Sequence, residues 1–146
     1  PKAIPLGHYR SYVVPFESGF MNFTTQPLLL GDFIHFNGVA DGAFNVSLFG
    51  SAQEPIYTLS WEKNERKIIQ TMLIDGTKFT SESRSVPFIV GVEFDIVLIN
   101  KSHAIEAYIN GELIDVLKKN VVFCERDFRY VKLLGPVKIF EQRRGP

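Results

Sequence analysis

The sequence predicts an all-β fold, an antiparallel sandwich of two sheets, and three observations carry the prediction. Apolar runs are short and stop at Gly, Pro, Asn or Asp, as strands joined by turns do. Thirteen Phe, five Tyr and one Trp supply the large side chains that suit pleated, half-buried surfaces. No stretch sustains helical spacing between caps, whereas period-two alternation is plain in Phe44-Asn45-Val46-Ser47-Leu48 and in Phe94-Asp95-Ile96-Val97-Leu98-Ile99. One side of each such strand is dry and the other wet, as in a sandwich layer.

In chain order the expected strands are Ser11–Pro15, a weaker Phe20–Thr24, Phe33–Gly38, Phe44–Phe49, Ile56–Trp61, Ile68–Ile74, Phe94–Asn100, Ala104–Ile109, Glu112–Val116, Tyr130–Leu134 and Val137–Phe140. Two turns are marked. Asn110-Gly111 is the pair that a tight type I′ hairpin wants, because both central residues need positive φ. Asp75-Gly76 is a similar signal. Residues 120–127 are expected to hold at most a short helical turn. Neither long repeat nor linker interrupts the pattern, so one domain is expected over residues 1–146, with 1–10 an N-terminal extension and 141–146 a C-terminal tail.

Bulk properties narrow the function. A hydrophobic fraction of 45% supports one sizeable core in 146 residues. Lys+Arg equals Asp+Glu at 16 each, which argues against nucleic-acid binding, and Gln142-Arg143-Arg144 reads as a solvated tail. Cys124 is the one cysteine, so no internal disulfide and no cysteine-built zinc site is available. That suits a reducing compartment. The sequons at Asn22, Asn45 and Asn100 point mildly to secretion, so extracellular and cytoplasmic locations both stay open. No apolar run is long enough to span a membrane as a helix, and no signal peptide is visible. The start at Pro1, without an initiator Met, reads as a processed or excised piece.

Ordered stretches across residues 12 to 140 resemble the galectin carbohydrate-recognition domain. They are Val13-Val14-Pro15-Phe16 with Gly19, Leu30-Gly31-Asp32-Phe33 running to Gly38, Phe44 to Leu48, Pro87-Phe88 with Gly91 and Phe94, Ala107-Tyr108-Ile109-Asn110-Gly111, and Leu133-Leu134-Gly135-Pro136-Val137. The resemblance implies a two-sheet jelly-roll with a shallow, metal-free sugar groove on one sheet, and no cofactor. In that family a galactose lies on a Trp face. It is bonded by a His-x-Asn-x-Arg strand, by an Asn on the next strand, and by a Glu-x-Arg after the Trp. The chemistry is general: C–H faces stack on aromatic rings, and hydroxyls need fixed donors and acceptors.

This chain departs from that pattern. Ser60, Glu62 and Asn64 stand where the resemblance implies His, Asn and Arg, and alternation turns Leu59 and Trp61 inward. Trp61 is therefore a core residue and not a sugar platform. His35-Phe36-Asn37 imitates the motif on the wrong strand. Asp75 aligns with the next Asn, since Met72 and Ile74 then face the core; a slip of one residue would reverse this. Phe79-Thr80-Ser81-Glu82-Ser83-Arg84 resembles Trp-x-x-Glu-x-Arg, with Phe79 a smaller platform and Glu82 and Arg84 matching in type and spacing. Each polar position has a plainer reading beside it: Glu62 as an exposed carboxylate, Asp75 as a turn residue, Glu82 and Arg84 as a surface ion pair.

The expected carbohydrate-binding set is thus Ser60, Glu62, Asn64, Asp75, Phe79, Glu82 and Arg84, on three neighbouring strands that share one surface. The resulting expectation is a galectin-type lectin of altered specificity that binds simple β-galactosides weakly or not at all. The competing expectation is a galectin-fold interaction module without sugar binding. No enzyme is expected: His8, His35 and His103 are scattered, and neither a nucleophile elbow nor a phosphate loop occurs. The expected partner is a glycan or glycoprotein, with no nucleic acid and no membrane insertion. An exposed sheet edge offers a homodimer contact.

Overall fold

The computed structural model describes residues 10–12, 16–22, 29–50, 55–62, 67–74, 76–83, 88–101, 105–114 and 130–145. These form eleven strands: β1 (Arg10–Tyr12), β2 (Phe16–Asn22), β3 (Phe33–Ala40), β4 (Phe44–Phe49), β5 (Pro55–Glu62), β6 (Lys67–Ile74), β7 (Thr77–Ser83), β8 (Phe94–Asn100), β9 (Ile105–Ile109), β10 (Glu112–Leu113) and β11 (Tyr130–Gly145). Pairing is antiparallel and runs β10-β9-β8-β3-β11-β4-β5-β6-β7, with β1 and β2 also on β11. The expected helical turn at 120–127 lies outside the described residues.

The path closes into two layers because β11 serves both. Its residues Tyr130–Leu134 pair with β4, and Val137–Gly145 pair with β3. Between them Gly135 takes a φ of 117° and Pro136 follows; the register against β2 shifts across this bend, and that against β3 shifts after it, between Ile139 and Glu141. A Cβ at Gly135 would stand 2.5 Å from the Ala43 carbonyl oxygen, so only glycine fits. Phe44 of β4 stacks on Phe94 of β8 at 5.4 Å although β11 and β3 separate them in pairing order, which brings the layers face to face.

Alternation decides what fills the space between. Phe44, Val46 and Leu48, with Tyr57, Leu59 and Trp61, and Ile68 with Met72, meet Ile34, Phe36, Ile96, Leu98, Ala107 and Ile109 in one buried cluster. Asn110 and Gly111 both take positive φ, 52° and 83°, as the Asn-Gly signal predicts. Asn110 also fastens the hairpin to β8: its Oδ1 accepts from the Asp95 amide at 2.8 Å.

Two expectations change. Residues 141–145 are strand and not tail: Glu141–Gly145 pair with β3, Arg143 Nε donates to Glu141 Oε1, and Gln142 is 2% exposed. The polar letters hid an alternation in which Gln142 turns inward. The two strands expected on either side of Gly135 are one strand, β11.

One buried polar pair sits inside the core. Tyr57 OH donates to Gln70 Oε1 at 2.6 Å, diagonally across β5 and β6. Burial pushes the Tyr57 phenol well above its ordinary value near 10. Tyr57→Phe is expected to cost about 1–3 kcal/mol, since it removes a donor from a buried carbonyl. The folded state holds the proton that the unfolded chain releases near pH 10, so wild-type stability falls as pH rises above that value. The variant should lose this component of the slope. Urea titrations from pH 8 to 11 read both effects, and parallel slopes in the two proteins would refute the assignment.

Candidate functional site

Residues that alternate with the core residues of β4–β7 face outward, and register sets them in rows across the strands. One row reads Leu134, Asn45, Ser60, Ile69 and Glu82. The next reads Lys132, Ser47, Thr58, Thr71 and Thr80, a run of four hydroxyls after the lysine. Ser47 Oγ and Thr58 Oγ1 lie 3.0 Å apart. Beyond Ser60, Glu62 stands opposite Lys67. The Lys67 ammonium reaches Glu82 Oε1 at 3.6 Å, a diagonal contact on the same face.

The structure therefore brings Ser60, Glu62 and Glu82 together on one outward surface. It does not bring Phe79 to them. Phe79 pairs with Met72, a fully buried core residue, so its side chain leaves the strand on the inward side. Three positions separate Phe79 from Glu82, and an odd spacing in a regular strand puts two residues on opposite faces. Phe79 is 39% exposed because β7 ends the pairing path.

Asn64, Asp75 and Arg84 lie outside the described residues. The residue of β6 abreast of Ser60 is Ile69. Sequence reading missed Ile69, Lys67 and the hydroxyl row, because each is defined by what stands across the strand. The pairing Glu62↔Lys67 follows once the β5–β6 register is known.

His35-Phe36-Asn37 belongs to the other layer. Ile34 and Phe36 are buried in the core, so His35 and Asn37 face outward from β3. There His35 Nε2 donates to Asp95 Oδ1 at 2.7 Å, and Asn37 Nδ2 donates to the same oxygen at 3.3 Å. Trp61 is 4% exposed and packs on Phe44 and Phe88 at 5.8 and 5.2 Å, a core residue as its alternation implies. Among the described residues no group of three or more His, Cys, Asp or Glu is arranged to hold a metal ion, and no helix is long and apolar enough to cross a membrane.

A family model described as galactoside-binding lectin matches residues 19–142. Among solved structures, Caenorhabditis elegans galectin LEC-6 superposes with a TM-score of 0.76 at 11% identity, covering 93% of this chain and 96% of that one. Chicken galectin 2 gives 0.74 at 12% identity, covering 89% and 100%. Congerin II with lactose and MES bound gives 0.68 at 14% identity, covering 90% and 100%. At these identities the likeness is one of fold. A search of curated protein sequences gives no match.

Proposed function

Since the chain belongs to the galactoside-binding lectin family, we propose that it is a glycan-binding lectin of altered specificity, to which simple β-galactosides bind weakly or not at all. The observation that carries the reading is the single outward surface of β4–β7. On it Ser60, Glu62 and Glu82 accompany Asn45, Thr58, Thr71 and Thr80. Hydroxyls, an amide and carboxylates are the donors and acceptors that a polyol needs. Asn64, two residues after Glu62, and Arg84, two after Glu82, complete the polar set in this reading. Asp75 stays in the set as the sequence expectation has it, and Phe79 leaves it because it faces inward.

What stands beside Ser60 supports the altered-specificity reading. The resemblance puts a His in the place of Ser60 and an Asn on the next strand; Ile69, abreast of Ser60, offers no hydrogen bond. A surface that lacks partners for particular hydroxyls discriminates against the sugar those hydroxyls define. A lactosyl column and a glycan array test the proposal together. Passage through the column without retention, with a specific array hit lost in Glu82→Ala, is the expected outcome. Strong retention released by free lactose would sink the altered-specificity reading.

A second reading is an interaction module on the same fold without sugar binding, since fold alone does not assign function. The inward face of Phe79 favours it, because that placement removes a stacking platform from the outward surface. Silence on the array decides for it.

A further inference from the structure

One lysine of β6 stands between the strands that carry Glu62 and Glu82. Lys67 is directly opposite Glu62 in the β5–β6 ladder, and its ammonium lies 3.6 Å from Glu82 Oε1 of β7. Its side chain is only 14% exposed, whereas Glu82 is 46% exposed. Lysines on a sheet surface ordinarily run out into water. A lysine held this close to the protein, with one carboxylate in ion-pair reach and another across the strand, is lying along the surface. The more exposed Glu82 presents its carboxylate to the side from which a ligand would approach, and a carboxylate has room for several acceptor contacts at once.

We propose that Lys67 is the positioning residue of the site. It anchors Glu82 in a fixed orientation and offsets the charge of the Glu62 and Glu82 pair, so that the surface takes a neutral polyhydroxylated ligand, a glycan, over a cationic one. The inference rests on the glycan-binding reading and deepens it. Two unneutralised carboxylates on one face, Glu62 on β5 and Glu82 on β7 with β6 between them, attract cations. With the Lys67 ammonium beside it, Glu82 accepts hydrogen bonds from hydroxyls in a preset geometry, which avoids the cost of ordering that side chain on binding. Lysine serves as a point charge here, with no need for the planar fork of arginine.

The test uses the full chain and the strongest wild-type hit from the glycan array, measured by titration calorimetry, with Lys67→Met and Lys67→Arg. Met keeps most of the stem and removes the charge. The expected result is an affinity loss of about ten-fold or more in Lys67→Met, the scale of a hydrogen bond to a charged group, and recovery to near wild type in Lys67→Arg. Thermal melting should shift little, since an ion pair at a surface contributes little stability. Equal affinity of Lys67→Met and wild type overturns the proposal, and so does equal loss in both variants. An affinity loss that tracks a large drop in melting temperature also overturns it, because the role is then structural. A wild type that binds no glycan on the array removes the parent reading, a different outcome from a wild type that binds and ignores Lys67.

Discussion

Gly135→Ala is expected to cost about 3–5 kcal/mol, a large share of the roughly 5–15 kcal/mol that holds a domain of this size together. Two effects coincide at this residue. Its φ of 117° lies where side chains are strained, a penalty of about 1–3 kcal/mol. The added Cβ would also stand 2.5 Å from the Ala43 carbonyl oxygen and 2.8 Å from Phe44 Cα. Both are backbone atoms of the segment leading into β4, so neither yields by rotating a side chain. The bend that Gly135 permits is where β11 passes from one layer to the other, and relieving the clash means loosening that passage.

Two control variants separate the effects. At Gly76 φ is 79° and nothing lies within 4 Å of where a methyl group would stand, so Gly76→Ala should show the backbone penalty alone, about 1 kcal/mol. At Gly38 no positive φ occurs, but a Cβ would run into the Lys138 carbonyl oxygen, so Gly38→Ala should show the steric penalty alone. Urea denaturation of the three variants gives the ranking. A Gly135→Ala protein within about 1 kcal/mol of wild type, the ordinary scale of a point substitution, would show that β11 crosses between the layers in some other way.

Trp61→Ala should be the other severe change, costing about 3–5 kcal/mol, with Trp61→Phe much milder. The indole fills the space among Phe44 and Phe88, with edge-to-face and tilted contacts, and a methyl group leaves a cavity there. The same residue tests which side of β5 meets ligand. Because Trp61 faces the core, its fluorescence should resist quenching by iodide and should barely respond to a bound sugar. A large quench with stability intact in Trp61→Ala would turn β5 over, and would move the candidate site to the other face of the sheet.

How much of the fold and the site is legible in the chain depends on the distance over which each feature is encoded. Strand β4 has the ends its letters predict, and the inward face of Trp61 follows from its neighbours Ser60 and Glu62. The Asn110-Gly111 turn follows from two adjacent residues. Strand β7 carries no such signal: it is absent from the strands that periodicity predicts, and only the family resemblance of Phe79 to Arg84 points to a strand there. Thr77-Lys78-Phe79-Thr80-Ser81-Glu82-Ser83 holds one apolar residue, because a strand at the end of the pairing path buries little and needs little hydrophobic patterning.

The antiparallel strands, the inward residues of β4, β5 and β8, and the likeness to a family are all present in the order of the amino acids. Those properties are written in neighbours one and two positions apart, and period-two alternation is a local signal. Contacts across strands settle the remainder: that residues 141–145 are strand, that Ile69 stands beside Ser60, that Phe79 leaves the surface carrying Glu82, and that Lys67 reaches that glutamate. Each of these depends on register between strands, and a shift of one residue exchanges every inward side chain for its outward neighbour. Register is fixed by how whole strands pack against the core, which no short window of residues contains.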